Sequence, residues 1–156
     1  MMTKGVLELK DVRFRWPNKD RVTIELPEFV ISQGERVFLQ GPSGSGKSTL
    51  LALMGGILVA ESGSLKVLGE ELKSFSRARR DAFRVAHMGF IFQLFNLLSY
   101  LSIEENVLLP LRFSRKRALR AGGNETSRTE EARRLLSALG LSEPLKEGHP
   151  VVELSV

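Results

Sequence analysis

Apolar and polar residues alternate along positions 6–16 (VLELKDVRFRW), the pattern of a strand with one buried face. Pro17-Asn18 breaks that pattern. Two shorter apolar runs, 22–26 and 28–31, flank Pro27 and predict two strands split by the proline. Ser32-Gln33-Gly34 reads as a turn, and 36–40 (RVFLQ) as a short strand buried on both faces. The period then changes. Positions 47–54 predict a helix stopped by Gly55-Gly56, and 64–68 a strand after a Ser62-Gly63 turn. Positions 75–86 predict a helix with Phe75, Ala78, Ala82 and Phe83 on one face, and 88–92 a second buried strand.

The last third reads as helical. Ser102 and Glu105 have capping-box spacing, and Ile103, Val107 and Leu111 follow on one face. Pro110 is expected to end or kink that helix. Positions 119–127, around Gly122-Gly123-Asn124, read as a loop. Ser127 and Glu130 suggest a second capping box, followed by Ala132, Leu135, Leu136 and Leu139 at helical spacing and a stop at Gly140. Strand, Gly-rich turn, helix, strand is the grammar of a parallel α/β sheet. The early strands, with no helices between them, predict a small antiparallel sheet added to it.

The candidate chemistry lies between the strand at 36–40 and the helix at 47. Gly41, Pro42, Ser43, Gly44, Ser45, Gly46, Lys47, Ser48 and Thr49 fit G-x-x-x-x-G-K-[ST], the phosphate-binding loop. Its glycines let the backbone curl so that successive N–H groups face phosphate oxygens. A side chain at Gly44 or Gly46 is expected to obstruct that curl. Lys47 would place its charge on the β- and γ-phosphates, Ser48 would ligate Mg²⁺, and the helix would present its positive end to the anion.

Composition narrows the alternatives. At 156 residues the chain has room for one domain, and 42% hydrophobic with 26% charged residues is ordinary for a globular protein. It contains no cysteine, which excludes disulfides, thiolate zinc sites and thiol catalysis. There are two histidines, His87 and His149, too few for a His-rich metal site. The longest near-continuous apolar run, 50–60, falls short of the ~20 residues of a membrane helix, and the N-terminus lacks a signal-like apolar core. A cytoplasmic protein is expected, linked to a membrane only through a partner. The net charge of +5 is concentrated at Arg77-Ala-Arg79-Arg80 and Arg115-Lys116-Arg117. No aromatics are interleaved there for base stacking, so these read as solvated helix faces and no nucleic-acid partner is expected. Contact with a membrane partner or anionic lipid heads is the milder option.

GPSGSGKSTLL preceded by ERVFLQ closely resembles the nucleotide-binding domain of ATP-binding cassette (ABC) transporters. Glu61-Ser62-Gly63 resembles that family's turn after the phosphate-loop helix. Positions 88–93 (MGFIFQ) resemble its Q-loop strand, and 97–107 (LLSYLSIEENV) the helix start that follows. The wording is nearest the lipoprotein-release and macrolide-export subfamily. The resemblance implies an α/β phosphate-loop NTPase of ABC type over residues 1–156. It would have an N-terminal antiparallel subdomain, part of a parallel core and part of a helical subdomain. It implies ATP and Mg²⁺ as ligands and ATP hydrolysis driving export or extraction at a membrane. The implied partners are transmembrane permease subunits and a second nucleotide-binding subunit in a head-to-tail dimer, placing the protein on the inner face of the membrane.

By position, Lys47 and Gln93 resemble the catalytic lysine and the Q-loop glutamine, with Gln93 also reaching Mg²⁺. Trp16 resembles the aromatic that stacks on adenine, and Phe14, two residues earlier, is the competing candidate. Leu154 and Ser155 match the first two letters of the signature LSGGQ, after which Val156 replaces glycine. The rest of the signature, the Walker B aspartate, the catalytic glutamate and the switch histidine have no counterpart. An incomplete domain that binds nucleotide but does not hydrolyse it alone is therefore expected. Its rivals are a non-catalytic ATP-binding fragment and a different phosphate-loop NTPase. A GTPase would carry an Asn-Lys-x-Asp guanine reader, which is absent here.

Overall fold

The computed structural model describes residues 5–92 and 96–141. These fall into two compact units, divided between residues 84 and 85. The first is built on an antiparallel sheet of β1 (Leu7–Arg15), β2 (Val22–Ile31), β3 (Ser62–Val67) and β4 (Glu70–Glu71), in the order β2-β1-β3-β4. Helix α1 (Lys47–Met54) belongs to it, with a 3₁₀ turn at Leu72–Ser74, and α2 (Arg77–His87) runs across its boundary.

Strand β1 forms as its alternation predicts, with one interruption. Leu7, Leu9, Val12 and Phe14 are all buried, although nine and twelve differ by an odd number. The phase flips at Asp11, whose φ is +51°. Opposite β3 this is a bulge: Lys10 pairs with Ser64 and Arg13 with Ser62. The sequence signal is the doubled polar pair Lys10-Asp11. Strand β2 flips at the same level through Pro27-Glu28, both exposed, so β1 and β2 stay in step there: Lys10 faces Glu28 and Val12 faces Leu26.

Pro27 therefore does not split β2 into two strands. It lies on an edge strand, where a residue without an N–H is tolerated. Nor is Ser62-Gly63 a turn ahead of β3; both are strand residues. A Cβ at Gly63 would lie 2.3 Å from the Asp11 carbonyl oxygen, and its φ is +86°. Glycine stands there because the bulged backbone of β1 passes too close for a side chain.

The expected turn at Ser32-Gln33-Gly34 is present. Glu35 N–H donates to the Ser32 carbonyl over 3.2 Å, and Gly34 has the φ of +80° that a type II turn requires. Helix α1 has the predicted bounds. Among the described residues, however, neither 36–40 nor 88–92 pairs into a sheet. Phe38 is 86% exposed and Ile91 fully exposed. A run of apolar residues becomes a buried strand only where neighbours supply its ladder and cover its faces.

The helix predicted over 75–86 begins two residues later. Phe75 is buried ahead of it, and Phe83 meets Phe75 edge-on at 5.6 Å. Ala78 and Ala82 are exposed, and no residue of α2 is fully buried; Arg80, Asp81 and Phe83 to Ala86 are half-buried. Arg80 donates to the Phe75 carbonyl at 2.7 Å and Arg84 to Asp81 at 2.6 Å.

The second unit contains α3 (Ile103–Arg112), α4 (Arg115–Ala121) and α5 (Glu125–Ala138), which pack on one another around Ile103, Ala118, Ala132 and Leu136. The Ser102/Glu105 capping box forms in both directions, at 3.2 and 2.8 Å. Pro110 sits in the last turn of α3, which ends two residues later. The loop expected over 119–127 is shorter: α4 runs to Ala121 and α5 starts at Glu125. Asn124 caps α5, accepting from Ser127 N–H at 2.8 Å, so Ser127 is inside the helix and is not its cap. Leu135 and Leu139, predicted with Ala132 and Leu136 on the core face, are 44% and 75% exposed.

Candidate nucleotide-binding site

The phosphate-type loop lies between residue 40 and α1. Gly44 and Gly46 have φ of +79° and +92°, so both occupy the left-handed region where glycine is favoured. Their reasons differ. A Cβ at Gly46 would meet Ile24 Cδ1 at 2.9 Å and the Thr23 carbonyl at 3.2 Å, whereas one at Gly44 would point into open space. At Gly44 only the backbone conformation requires glycine, while at Gly46 packing against β2 does too.

Gly46 is also the N-cap of α1, and no side chain caps the helix. The amides of its first turn are therefore left for an external acceptor. Lys47 folds back over the loop. Its Nζ donates to the carbonyls of Gly41 at 2.7 Å and Pro42 at 2.8 Å, and lies 3.5 Å from Ser45 Oγ. Ser48 is exposed beside it, and Thr49 is buried. Cation, free amides and hydroxyl thus converge on one loop, a donor set for a polyphosphate.

The two aromatic candidates separate clearly. Phe14 is 6% exposed and belongs to the core, while Trp16, just past the end of β1, is 44% exposed. The indole meets the Phe14 ring edge-on at 5.3 Å, which fixes it from beneath. It lines an open pocket of about 570 Å³ together with Pro17, Asn18, Lys19, Asp20, Val59 and Glu61. The turn after β1 makes one wall: Asn18 has φ of +61°, and Lys19 N–H donates to the Trp16 carbonyl. Arg15 donates to Glu61 at 3.3 Å on the other side. Periodicity gave no sign of Val59 as part of this pocket.

Pocket and loop have different linings, but the sheet connects them. Gly46 abuts Ile24, Ile24 pairs with Phe14 across β1 and β2, and Phe14 carries Trp16. Gln93, Leu154 and Ser155 lie outside the described residues.

Family comparison decides which phosphate-binding class this is. The sequence description of the ABC transporter family matches residues 25–155. The chain belongs to that family. It is 44% identical over 121 residues to the lipoprotein-releasing system ATP-binding protein LolD 2 of Rhodospirillum rubrum, covering 77% of this chain and 49% of that protein. It is 38% identical over 156 residues to the macrolide export ATP-binding/permease protein MacB of Bradyrhizobium diazoefficiens, covering 99% of this chain and 22% of the relative. The chain thus spans half or less of these curated relatives.

Among solved structures it resembles the ATP-binding cassette MJ0796 in a dimeric post-hydrolysis state bound to ADP and phosphate. The TM-score is 0.79 at 29% identity, over 96% of this chain and 63% of that one. The likeness supports the α/β cassette fold expected from sequence; among the described residues the antiparallel sheet forms, and the expected parallel pairing does not, since 36–40 and 88–92 find no ladder partner. The family match takes in the whole loop at 41–49, while Trp16 lies ahead of the matched residues, just past the end of β1. Among the described residues no helix is long and apolar enough to cross a membrane, and no group of three His, Asp or Glu could hold a metal.

Proposed function

We propose that this chain binds ATP, with phosphates on the loop Gly41–Thr49 and adenine on Trp16. We further propose that the protein it represents couples ATP hydrolysis to export or extraction at a membrane. The observation that carries the reading is the contact chain from Gly46 through Ile24 and Phe14 to Trp16. It joins a phosphate cradle to an exposed aromatic platform through one rigid sheet.

Each residue then has a task. The first-turn amides of α1 hold phosphate oxygens, as helix N-termini do. Lys47 keeps its two carbonyl bonds and turns its third donor, only weakly engaged with Ser45, to the β- and γ-phosphates. Trp16 stacks on the base; such contacts contribute roughly 1–3 kcal/mol per base in nucleic-acid systems. Mg²⁺, when bound, neutralises phosphate charge and orients the terminal phosphoryl group. The donor chemistry fits an ion held mainly by the nucleotide, since the loop has hydroxyls, of which Ser48 is the proposed ligand, but no carboxylate, and magnesium retains water and phosphate ligands readily. Gln93 is proposed as a weaker ligand and as the link between γ-phosphate and the helical unit.

The loop 41–49 carries no carboxylate or imidazole to serve as a general base, and we propose that residues 1–156 bind nucleotide without appreciable turnover of their own. Permease subunits at the inner membrane face and a head-to-tail cassette partner are proposed on the strength of the relatives' names and the dimeric cassette structure.

Trp16 is the sole tryptophan, so its fluorescence tests the assignment directly. Mg²⁺-ATP is expected to quench or shift it saturably, Lys47→Ala to weaken the response at least tenfold, and Ser48→Ala to reduce its dependence on Mg²⁺. A folded chain whose Trp16 ignores saturating ATP would refute the adenine platform.

A further inference from the structure

From 106 to 124 the sequence (NVLLPLRFSRKRALRAGGN) contains no acidic residue but five basic ones, Arg112, Arg115, Lys116, Arg117 and Arg120. The fold sorts them. On α4, Ser114 and Ala118 are buried and Arg117 and Ala121 half-buried, which defines the inward face. Arg117 turns inward and donates to the Met88 carbonyl at 2.5 Å. Arg115, Lys116, Leu119 and Arg120 occupy the opposite arc and are all exposed. Phe113, just ahead of the helix, is 70% exposed, and Leu119 is 59% exposed.

Among the described residues, Arg115, Lys116 and Arg120 make no ion pair and no side-chain hydrogen bond. The contrast with the other basic cluster is instructive. Arg79 pairs with Glu70 at 3.3 Å and lies over the Phe75 ring at 3.8 Å, and Arg80 holds the Phe75 carbonyl. Two of that cluster's three cations are thus occupied with their own unit, whereas none of the three on the α4 face is.

We propose that this face docks on an anionic membrane surface. Three unpaired cations in one turn and a half, with Phe113 and Leu119 beside them, combine attraction to lipid phosphates with apolar side chains that seat at the headgroup boundary. A nucleic acid would use the cations and leave the two apolar residues without a role. The proposal is independent of ATP binding, since none of these residues belongs to the nucleotide site.

The test is co-sedimentation of the 156-residue chain with vesicles of phosphatidylcholine alone and of phosphatidylcholine mixed with phosphatidylglycerol. Binding is expected only to the mixed vesicles, and it should weaken as salt rises. Each basic side chain at such a surface strengthens binding roughly fivefold, so the triple variant Arg115→Gln, Lys116→Gln, Arg120→Gln should lose on the order of a hundredfold. Arg115→Lys with Arg120→Lys should retain binding. Phe113→Ser with Leu119→Ser should cause a smaller loss at unchanged salt dependence.

Helical circular dichroism is recorded for each variant; the three cations make no ion pair or hydrogen bond, so no change is expected. A matched control removes three exposed cations of the other unit, Arg21→Gln, Lys66→Gln and Arg77→Gln. An equal loss in that control would assign the effect to net charge and overturn the proposal. So would equal binding to neutral vesicles, an unaffected α4 variant, or binding to an RNA duplex or an acidic peptide without binding to vesicles.

Discussion

Leu9, Val12 and Leu53 are the largest side chains fully shielded from water among the described residues, and all three lie in the unit that carries the phosphate loop. The helical unit buries Ile103, Ala118, Ala132 and Leu136, of which two are alanines. It relies instead on local devices: the Ser102/Glu105 box, the Asn124 cap, and the Asn106 carboxamide. Asn106 accepts from Leu98 N–H at 2.8 Å and lies within 2.9–3.3 Å of the carbonyls of Leu98, Leu101 and Ser102. Packing is a distributed property that degrades with every lost methylene, whereas capping fails bond by bond. The proposed nucleotide loop thus belongs to the unit with the better-packed core, and the helical unit rests more on individual caps.

The largest effect expected is from Leu53→Ala. Emptying a fully buried leucine site costs about 2–5 kcal/mol, and in urea the Trp16 transition should move to much lower denaturant. The helical signal of the second unit should survive this variant; if both probes shift together, the two units unfold as one and the contrast drawn above fails. Gly63→Ala comes next. Holding alanine at a positive φ costs roughly 1–3 kcal/mol before the clash with Asp11 is counted, again read by Trp16 in urea.

Asn106→Ala should destabilise the helical unit by about 1–3 kcal/mol, since it strips a half-buried loop of its partners. Circular dichroism should register this while Trp16 does not. The smallest effect concerns Glu105. Its hydrogen bonds with Ser102 hold its carboxyl below the ordinary value of 4.5, so the charged form is favoured in the folded chain. The stabilisation is present above the ordinary carboxylate range and is lost as pH falls through the lowered folded-state value. Glu105→Gln, which keeps the capping bond but cannot titrate, should flatten that part of the helical pH profile.

What could be read from sequence follows from how far each signal reaches. Helix α1, the Ser102 box and the turn at Gly34 rest on neighbours within four residues, and each appeared where expected. The doubled polar pair at Lys10-Asp11 marks a bulge only against a partner strand, so sequence alone reads Gly63 as a turn residue. Positions 36–40 and 88–92 read as buried strands from composition alone, which does not reveal whether a ladder partner is present. At the site, the loop was legible because its chemistry demands fixed spacing. The choice between Trp16 and Phe14 needed burial, and Val59 needed the fold.

Lys47 carries a consequence for kinetics. A free lysine side chain holds about 2 kcal/mol of rotamer entropy, which a ligand must ordinarily quench as it arrives. Here the ammonium is already tethered to the Gly41 and Pro42 carbonyls of its own loop. On the proposed reading, that ordering is already present in the folded chain, and an incoming polyphosphate would meet a charge in position. The loop would then act as a preset socket, with nucleotide capture not waiting for a swinging arm.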